Sequence, residues 1–167
     1  MTAGPFSPAS ADLGETRFVP LEASDRARLA EAIAAMPPWS VMNYPAEAMA
    51  KFLATSGDSI IRYRVAVGSE DAGVVSVRYP WLKGPYLELL ALLPNFQGQR
   101  LGTRILVWFE QEAVRQEARN LWVCASSYNE GALGLYERYG FQRVATLPGL
   151  VVDGYDEILL RKFPLSA

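Results

Sequence analysis

The chain has 167 residues, of which 50 % are hydrophobic and 20 % charged, with a net charge of −2; this suits one globular domain with a full core and leaves little room for a second. Binding phosphate backbones requires a basic excess that is missing, which disfavours nucleic acid as the main partner. No apolar run approaches the roughly 20 residues that cross a bilayer, so no membrane span is expected.

In chain order, residues 1–14 carry no Lys or Arg and no continuous apolar stretch. They lack the features of a secretory signal and read as a mobile tail before a single domain over residues 15–167. Residues 16–21 read as a short strand, and Ser24 offers an N-cap for an amphipathic helix running to Met36. Pro37 and Pro38 end that helix. A second helix is predicted over residues 46–55, with Pro45 suited to its first turn.

The period then changes. Residues 60–67 and 73–79 read as strands of a hairpin, joined by the Gly-Ser-Glu-Asp-Ala-Gly stretch. Residues 86–93 form a more apolar strand that Pro94 terminates. Leu101, Ile105, Leu106, Trp108, Phe109 and Ala113 recur at helical spacing within a stretch, residues 103–120, free of Gly and Pro. Residues 121–125 read as a buried strand, residues 129–139 as a helix, and residues 141–147 and 157–162 as two closing strands. This order predicts a mixed α/β fold, a central sheet with helices on its faces.

The residues that carry chemistry are constrained by what the chain lacks. There is no histidine, so the commonest general base and zinc ligand are gone, and no metal is expected. The single cysteine, Cys124, rules out an internal disulfide, fits a reducing cytoplasm, and in its buried strand reads as packing rather than a nucleophile. The most informative stretch runs from the 86–93 strand through a Gly-containing loop into the helix. That arrangement aims unpaired backbone N–H groups and the positive helix end at one spot, which holds an anion such as a pyrophosphate. Arg100 and Arg104, one turn apart, can add charge. A P-loop needs Lys after its last Gly, where Thr103 stands, and the dinucleotide fingerprint needs a glycine triplet that is missing. On spacing alone, Gly98 and Gly102 serve equally as turn and packing residues. Farther on, Asn129 can cap a helix and Gly140 can end it, with Tyr136 readable as core.

Together, the two segments resemble the GNAT superfamily of acetyl-CoA-dependent N-acetyltransferases. Gln97-Gly98-Gln99-Arg100-Leu101-Gly102-Thr103 is similar to the family's Arg/Gln-x-x-Gly-x-Gly/Ala loop. Asn129, Ala132, Leu135, Tyr136, Gly140 and Phe141 match its Asn-x-x-Ala-x-x-Leu-Tyr-x-x-x-Gly-Phe helix. The resemblance implies a mostly antiparallel sheet of six to seven strands whose middle strands splay to admit the pantetheine arm. It also implies acetyl-CoA held by Leu92, Leu93, Asn129 and the loop residues Gln97, Gly98, Gln99, Arg100, Leu101, Gly102 and Thr103. Arg100 stands where the family usually has glycine, so its backbone must adopt an unusual conformation to donate.

The implied reaction is direct attack by a primary amine of a small molecule or peptide on the acetyl thioester. At pH 7 a lysine-like amine, of pKa near 10.4, is neutral in about one molecule in 2500, a deficit of about 4.6 kcal/mol; an α-amine costs about 1. A base therefore matters. Glu88, a carboxylate inside an apolar strand, is the candidate base; the alternative is a carboxylate at a sheet edge or paired with an arginine. Tyr136, by the resemblance, protonates the departing thiolate. Trp39, Tyr44, Trp81, Tyr86 and Tyr128 read as either acceptor pocket or core. The same fold also admits a non-catalytic acyl-CoA-binding sensor or subunit, and either a monomer or a homodimer.

Overall fold

A computed structural model of the chain describes residues 4–8 and 13–166. The elements follow the expected order: β1 (Thr16–Pro20), α1 (Ala23–Ala34), α2 (Ala46–Ala54), β2 (Ile60–Val67), β3 (Glu70–Trp81), β4 (Gly84–Leu92), α3 (Leu101–Arg115), β5 (Leu121–Ser126), α4 (Glu130–Tyr139), β6 (Gln142–Pro148) and β7 (Asp156–Lys162). The strands form one seven-stranded sheet in the order β1-β2-β3-β4-β5-β7-β6. Every neighbouring pair is antiparallel except β4 and β5. This is the mixed, mostly antiparallel sheet expected.

The two parallel strands stay in register only at Tyr86↔Trp122 and Leu87↔Val123. Beyond those pairs β4 remains bound to β3 and β5 to β7, so the sheet opens between its middle strands. A bulge in β4 helps aim the opening. Leu87 pairs with Val77 and Leu89 with Ser76, which leaves Glu88 without a partner across the ladder. Such an extra residue bends the strand and breaks its alternation. Leu87 accordingly packs in the α3/α4 core with Ile105, Trp108 and Leu133, whereas Leu89 packs on the opposite face with Leu29, Ile33 and Met49 of α1 and α2.

The α3 face holds the larger core. Ile105, Leu106, Trp108 and Phe109 are each at most 1 % exposed, and burying such side chains contributes roughly 1.5–3 kcal/mol apiece. Two residues of the segment read as a tail join this core. Phe6 and Leu13 are buried; the Phe6 ring contacts Tyr79, Trp108 and Phe109, and its N–H donates to Glu112 Oε2 at 3.1 Å. A hydrophobic residue among Pro, Gly and Ser gives no periodicity from which such docking can be read. Residues 1–3 and 9–12 of that segment lie outside the described residues.

Three boundaries differ from expectation for local reasons. The α1 N-cap is Glu22, not Ser24: Glu22 and Asp25 form a reciprocal capping box, and Asp25 is anchored further by Arg28 and Arg64. β3 begins at Glu70 and carries Gly73 inside it, because an added Cβ there would sit 1.9 Å from the Ala91 carbonyl oxygen of β4. Within the stretch free of Gly and Pro that runs to residue 120, the helix ends at Arg115, with Glu117 turned left-handed at φ 56°.

Candidate active site

The chain leaves β4 through a single helical turn, Pro94–Phe96, and Gln97 folds back to donate from Nε2 to the Leu92 carbonyl at 2.8 Å. Gln99 braces the loop likewise through Asn95 O at 2.7 Å. Gly98 and Arg100 are both left-handed, at φ 72° and φ 62°. Arg100 thereby adopts the conformation that its position in the motif demands, although for an L-residue this costs roughly 1–2 kcal/mol. Arg100 is the N-cap of α3, no side chain caps the helix, and the first N–H returned to the loop is that of Arg104, to Arg100 O at 3.1 Å. Among the described residues, the amides of Gly98, Gln99, Arg100, Leu101, Gly102 and Thr103 therefore meet no acceptor. Clustered donors at the positive end of a 15-residue helix make an anion seat.

Packing fixes where that seat lies. A Cβ on Gly102 would stand 3.1 Å from Leu135 of α4 and 3.8 Å from Leu92 of β4. The helix start is thus wedged between the end of β4 and α4, at the mouth of the sheet opening. Leu93 spends its N–H on Ala72 O at 2.8 Å, and strand alternation then turns the Leu92 and Leu90 amides away from β3, toward the gap. Arg104 donates to Leu13 O at 3.5 Å, while Arg100 has no acidic partner among the described residues.

On the far wall, Asn129 caps α4 by accepting from Ala132 N at 3.2 Å, and Gly140 ends it at φ 109°. Tyr136, on this helix, is 5 % exposed, its ring edge-on to Phe141 at 5.8 Å. No described residue bonds its hydroxyl. Burial first, and then Cys124, push its pKa well above the usual tyrosine range, so the hydroxyl keeps its proton at any physiological pH.

Glu88, the carboxylate singled out as a base, is paired with arginines. Oε1 accepts from Ser76 Oγ at 2.7 Å and from Arg62 at 3.2 Å, and Oε2 accepts from Arg78 Nε. Its side chain is 6 % exposed and that of Arg62 7 %. Arg62 continues into the Leu53 and Thr55 carbonyls at the end of α2, so the group ties the bulge to the helical layer.

A second polar cluster sits beside the opening on the α1/α2 face. Tyr86, stacked on Trp81 at 4.6 Å, is half-buried and acts on Cys124 of the neighbouring strand. Burial, and secondarily Glu157, push the Cys124 thiol up to about 11, which keeps it protonated and suits packing, not nucleophilic attack. Glu157 is 6 % exposed; it faces Ser126 across the β5–β7 ladder and accepts from its Oγ at 2.7 Å. Burial raises the Glu157 carboxyl above the usual range, with Ser126 opposing. The α1–α2 segment closes over this cluster through Tyr128 Oη, which donates to Pro38 O at 2.8 Å, and Tyr155 Oη, which donates to Val41 O at 3.2 Å. Trp39 and Tyr44 belong instead to the α1/α2 core. Glu157, Ser126 and Tyr155 escaped the sequence reading, because nothing in one chain states that β7 lies beside β5.

A 610 Å³ cavity lined by Lys83, Arg119, Arg161 and Phe163 opens at the other end of β4 and shares no residue with this site. Among the described residues no helix is long and apolar enough to cross a membrane.

A sheet parted between parallel middle strands, with an unsatisfied helix start at the mouth of the gap, defines the acyltransferase class to which the two motifs pointed. Residues 27–141 match the acetyltransferase (GNAT) family, and the chain belongs to that family. A comparison with curated protein sequences returns no match. Among solved structures, the chain is similar to the ribosomal-protein-S18-alanine N-acetyltransferase of Escherichia coli, with 19 % identity, 91 % of this chain and 96 % of that one covered, and a TM-score of 0.69. An acetyltransferase from Thermus thermophilus gives 20 % identity, 92 % and 99 % coverage and a TM-score of 0.72. A GNAT family acetyltransferase from Elizabethkingia anophelis, solved with acetyl-CoA bound, gives 16 %, 90 % and 99 %, and 0.65. At these identities the likeness shows the fold.

Proposed function

We propose that this chain transfers the acetyl group of acetyl-CoA to a primary amine by direct attack. The observation that carries the reading is the row of acceptor-free amides at residues 98–103, set at the mouth of the β4–β5 gap. Such a row suits a diphosphate, and the gap behind it leads toward Tyr136. The acetyl-CoA bound in the Elizabethkingia protein supports the choice of acyl donor.

In this reading Gln97, Gly98, Gln99, Arg100, Leu101, Gly102 and Thr103 hold the diphosphate, mainly through backbone donors. The Leu92 and Leu90 amides lie along the pantetheine arm and polarise the thioester carbonyl, the stabilising contribution usually largest in acyl transfer. Asn129 fixes the helix that presents Tyr136, whose hydroxyl delivers a proton to the departing sulfur. Glu88, with both oxygens engaged, acts through the bulge that it holds in place.

Incubating the purified chain with acetyl-CoA and a set of primary amines, followed by mass spectrometry, tests this directly. Acetylated amine is the expected product. Tight acetyl-CoA binding with no acetylated product and no thiol release would favour the non-catalytic acyl-CoA-binding reading.

A further inference from the structure

We propose that Glu157, not Glu88, is the general base that takes the proton from the acceptor amine; this rests on the acetyl-transfer reading above. Both carboxylates are withdrawn from solvent, the Glu88 side chain within a half-buried residue and Glu157 as a buried residue, and their surroundings are opposite. Glu88 accepts from Arg62, Arg78 and Ser76, so its lone pairs are occupied and its charge is neutralised. Glu157 has one donor, Ser126 Oγ on Oε1, and neither a cation nor a donor to Oε2 among the described residues. A buried carboxylate with a free oxygen and no countercharge is costly to fold around, and it is the form of carboxylate that accepts protons near neutral pH.

The groups around Glu157 bring no positive charge, and Glu88, which acts on the same Tyr86, is itself a carboxylate. Tyr86 reaches it from β4, Cys124 and Ser126 from β5, and Tyr128 from the loop after β5. β6 offers Leu147 opposite it, and residues 35–45, which close over the cluster through Tyr128 and Tyr155, contain no charged side chain. Nothing here supplies the cation that would return Glu157 to an ordinary carboxylate, and burial holds its affinity for protons up. Cys124 and Tyr86 connect it to the strand edges that part at Leu87 and Val123.

The protons balance. As the amine nitrogen bonds to the acetyl carbon and the carbon–sulfur bond breaks, Glu157 takes one proton from nitrogen and Tyr136 gives one to sulfur. Return of the Glu157 proton to Tyr136 through solvent restores both groups. An amine that arrives protonated first loses one further proton to solvent.

The test compares the wild type with Glu157→Gln, Glu157→Asp and Ser126→Ala, using acetyl-CoA with water alone and with an Ala-initiated peptide, a lysine amide and spermidine as probes. Acetyl-CoA affinity and thiol release are followed across pH. Glu157→Gln is expected to bind acetyl-CoA as the wild type does, to release thiol at least about 100-fold more slowly, and to lose the acidic limb of the rate profile. Glu157→Asp should restore part of the rate together with that limb. Ser126→Ala, which leaves the carboxylate in place but removes its donor, should move the limb to higher pH. A Glu157→Gln protein that folds, binds acetyl-CoA and keeps both rate and limb overturns the assignment while leaving the acetyl-transfer reading intact. A wild type that fails to bind acetyl-CoA, or binds it and releases no thiol with any probe, overturns that reading and the assignment with it.

Discussion

Arg62 donates to Glu88 across the sheet at 3.2 Å, with less than a tenth of either side chain exposed. The pair sits where β4 bulges, and Arg78 closes it from the other side. The bulge puts Leu87 and Leu89 into different cores, so the pair stabilises the feature that lets β4 leave β5.

Removing one partner of such a pair strands a buried charge. Glu88→Ala is expected to cost about 3–5 kcal/mol in chemical denaturation. A double change that also replaces Arg62 with Leu should recover part of that loss. If Glu88→Ala folds with undiminished stability, the bulge does not depend on the pair.

Arg100→Gly relieves a left-handed residue at φ 62° and should raise stability by up to about 1 kcal/mol. Because the diphosphate is assigned to backbone amides, acetyl-CoA affinity should fall by no more than the loss of one exposed charge, a deficit that vanishes in high salt. Arg100→Pro, which deletes the N–H and cannot reach positive φ, should abolish binding. Calorimetric titration of the two variants separates backbone from side chain.

Tyr136→Phe should retain acetyl-CoA affinity and lower the rate of thiol release by about 100-fold. Since burial holds the Tyr136 hydroxyl protonated, the wild-type rate profile should show no alkaline decline from this group within the range where the fold survives. Equal rates for the two proteins would remove Tyr136 from the reaction.

Glu157 also makes stability depend on pH in a definite sense. Its folded pKa is raised by burial, so the folded chain holds this proton more tightly than the unfolded one. The associated stability is present below the ordinary carboxylate range and is lost as pH rises through the folded value. Glu157→Gln, which mimics the protonated form, should therefore exceed the wild type in melting temperature by a margin that grows from acid to neutral pH. A margin constant with pH would mean that the carboxyl titrates normally.

Much of this was legible from residue patterns alone. The β-branched runs, the Trp108–Phe109 stripe and the Pro94 and Gly140 stops set the element order, and the two motifs set the family. What stayed hidden depends on neighbours distant in sequence. The apolar run through residues 86–93 reads as one regular strand covered on both faces, since a bulge leaves no mark on residue spacing. Glu88 reads equally as a base or as the partner of an arginine, and spacing does not choose between them because Arg62 and Arg78 come from other strands. Phe6 showed no helical or strand period, as it is held by Glu112 and Trp108 rather than by its own segment.

The most direct measurement of the central claim is thermal unfolding of the full chain with and without acetyl-CoA. If the free amides between β4 and α3 seat the diphosphate, ligand at 100 times its Kd adds about 2.7 kcal/mol, and the melting temperature rises with concentration. A melting temperature unmoved by millimolar acetyl-CoA would contradict the account.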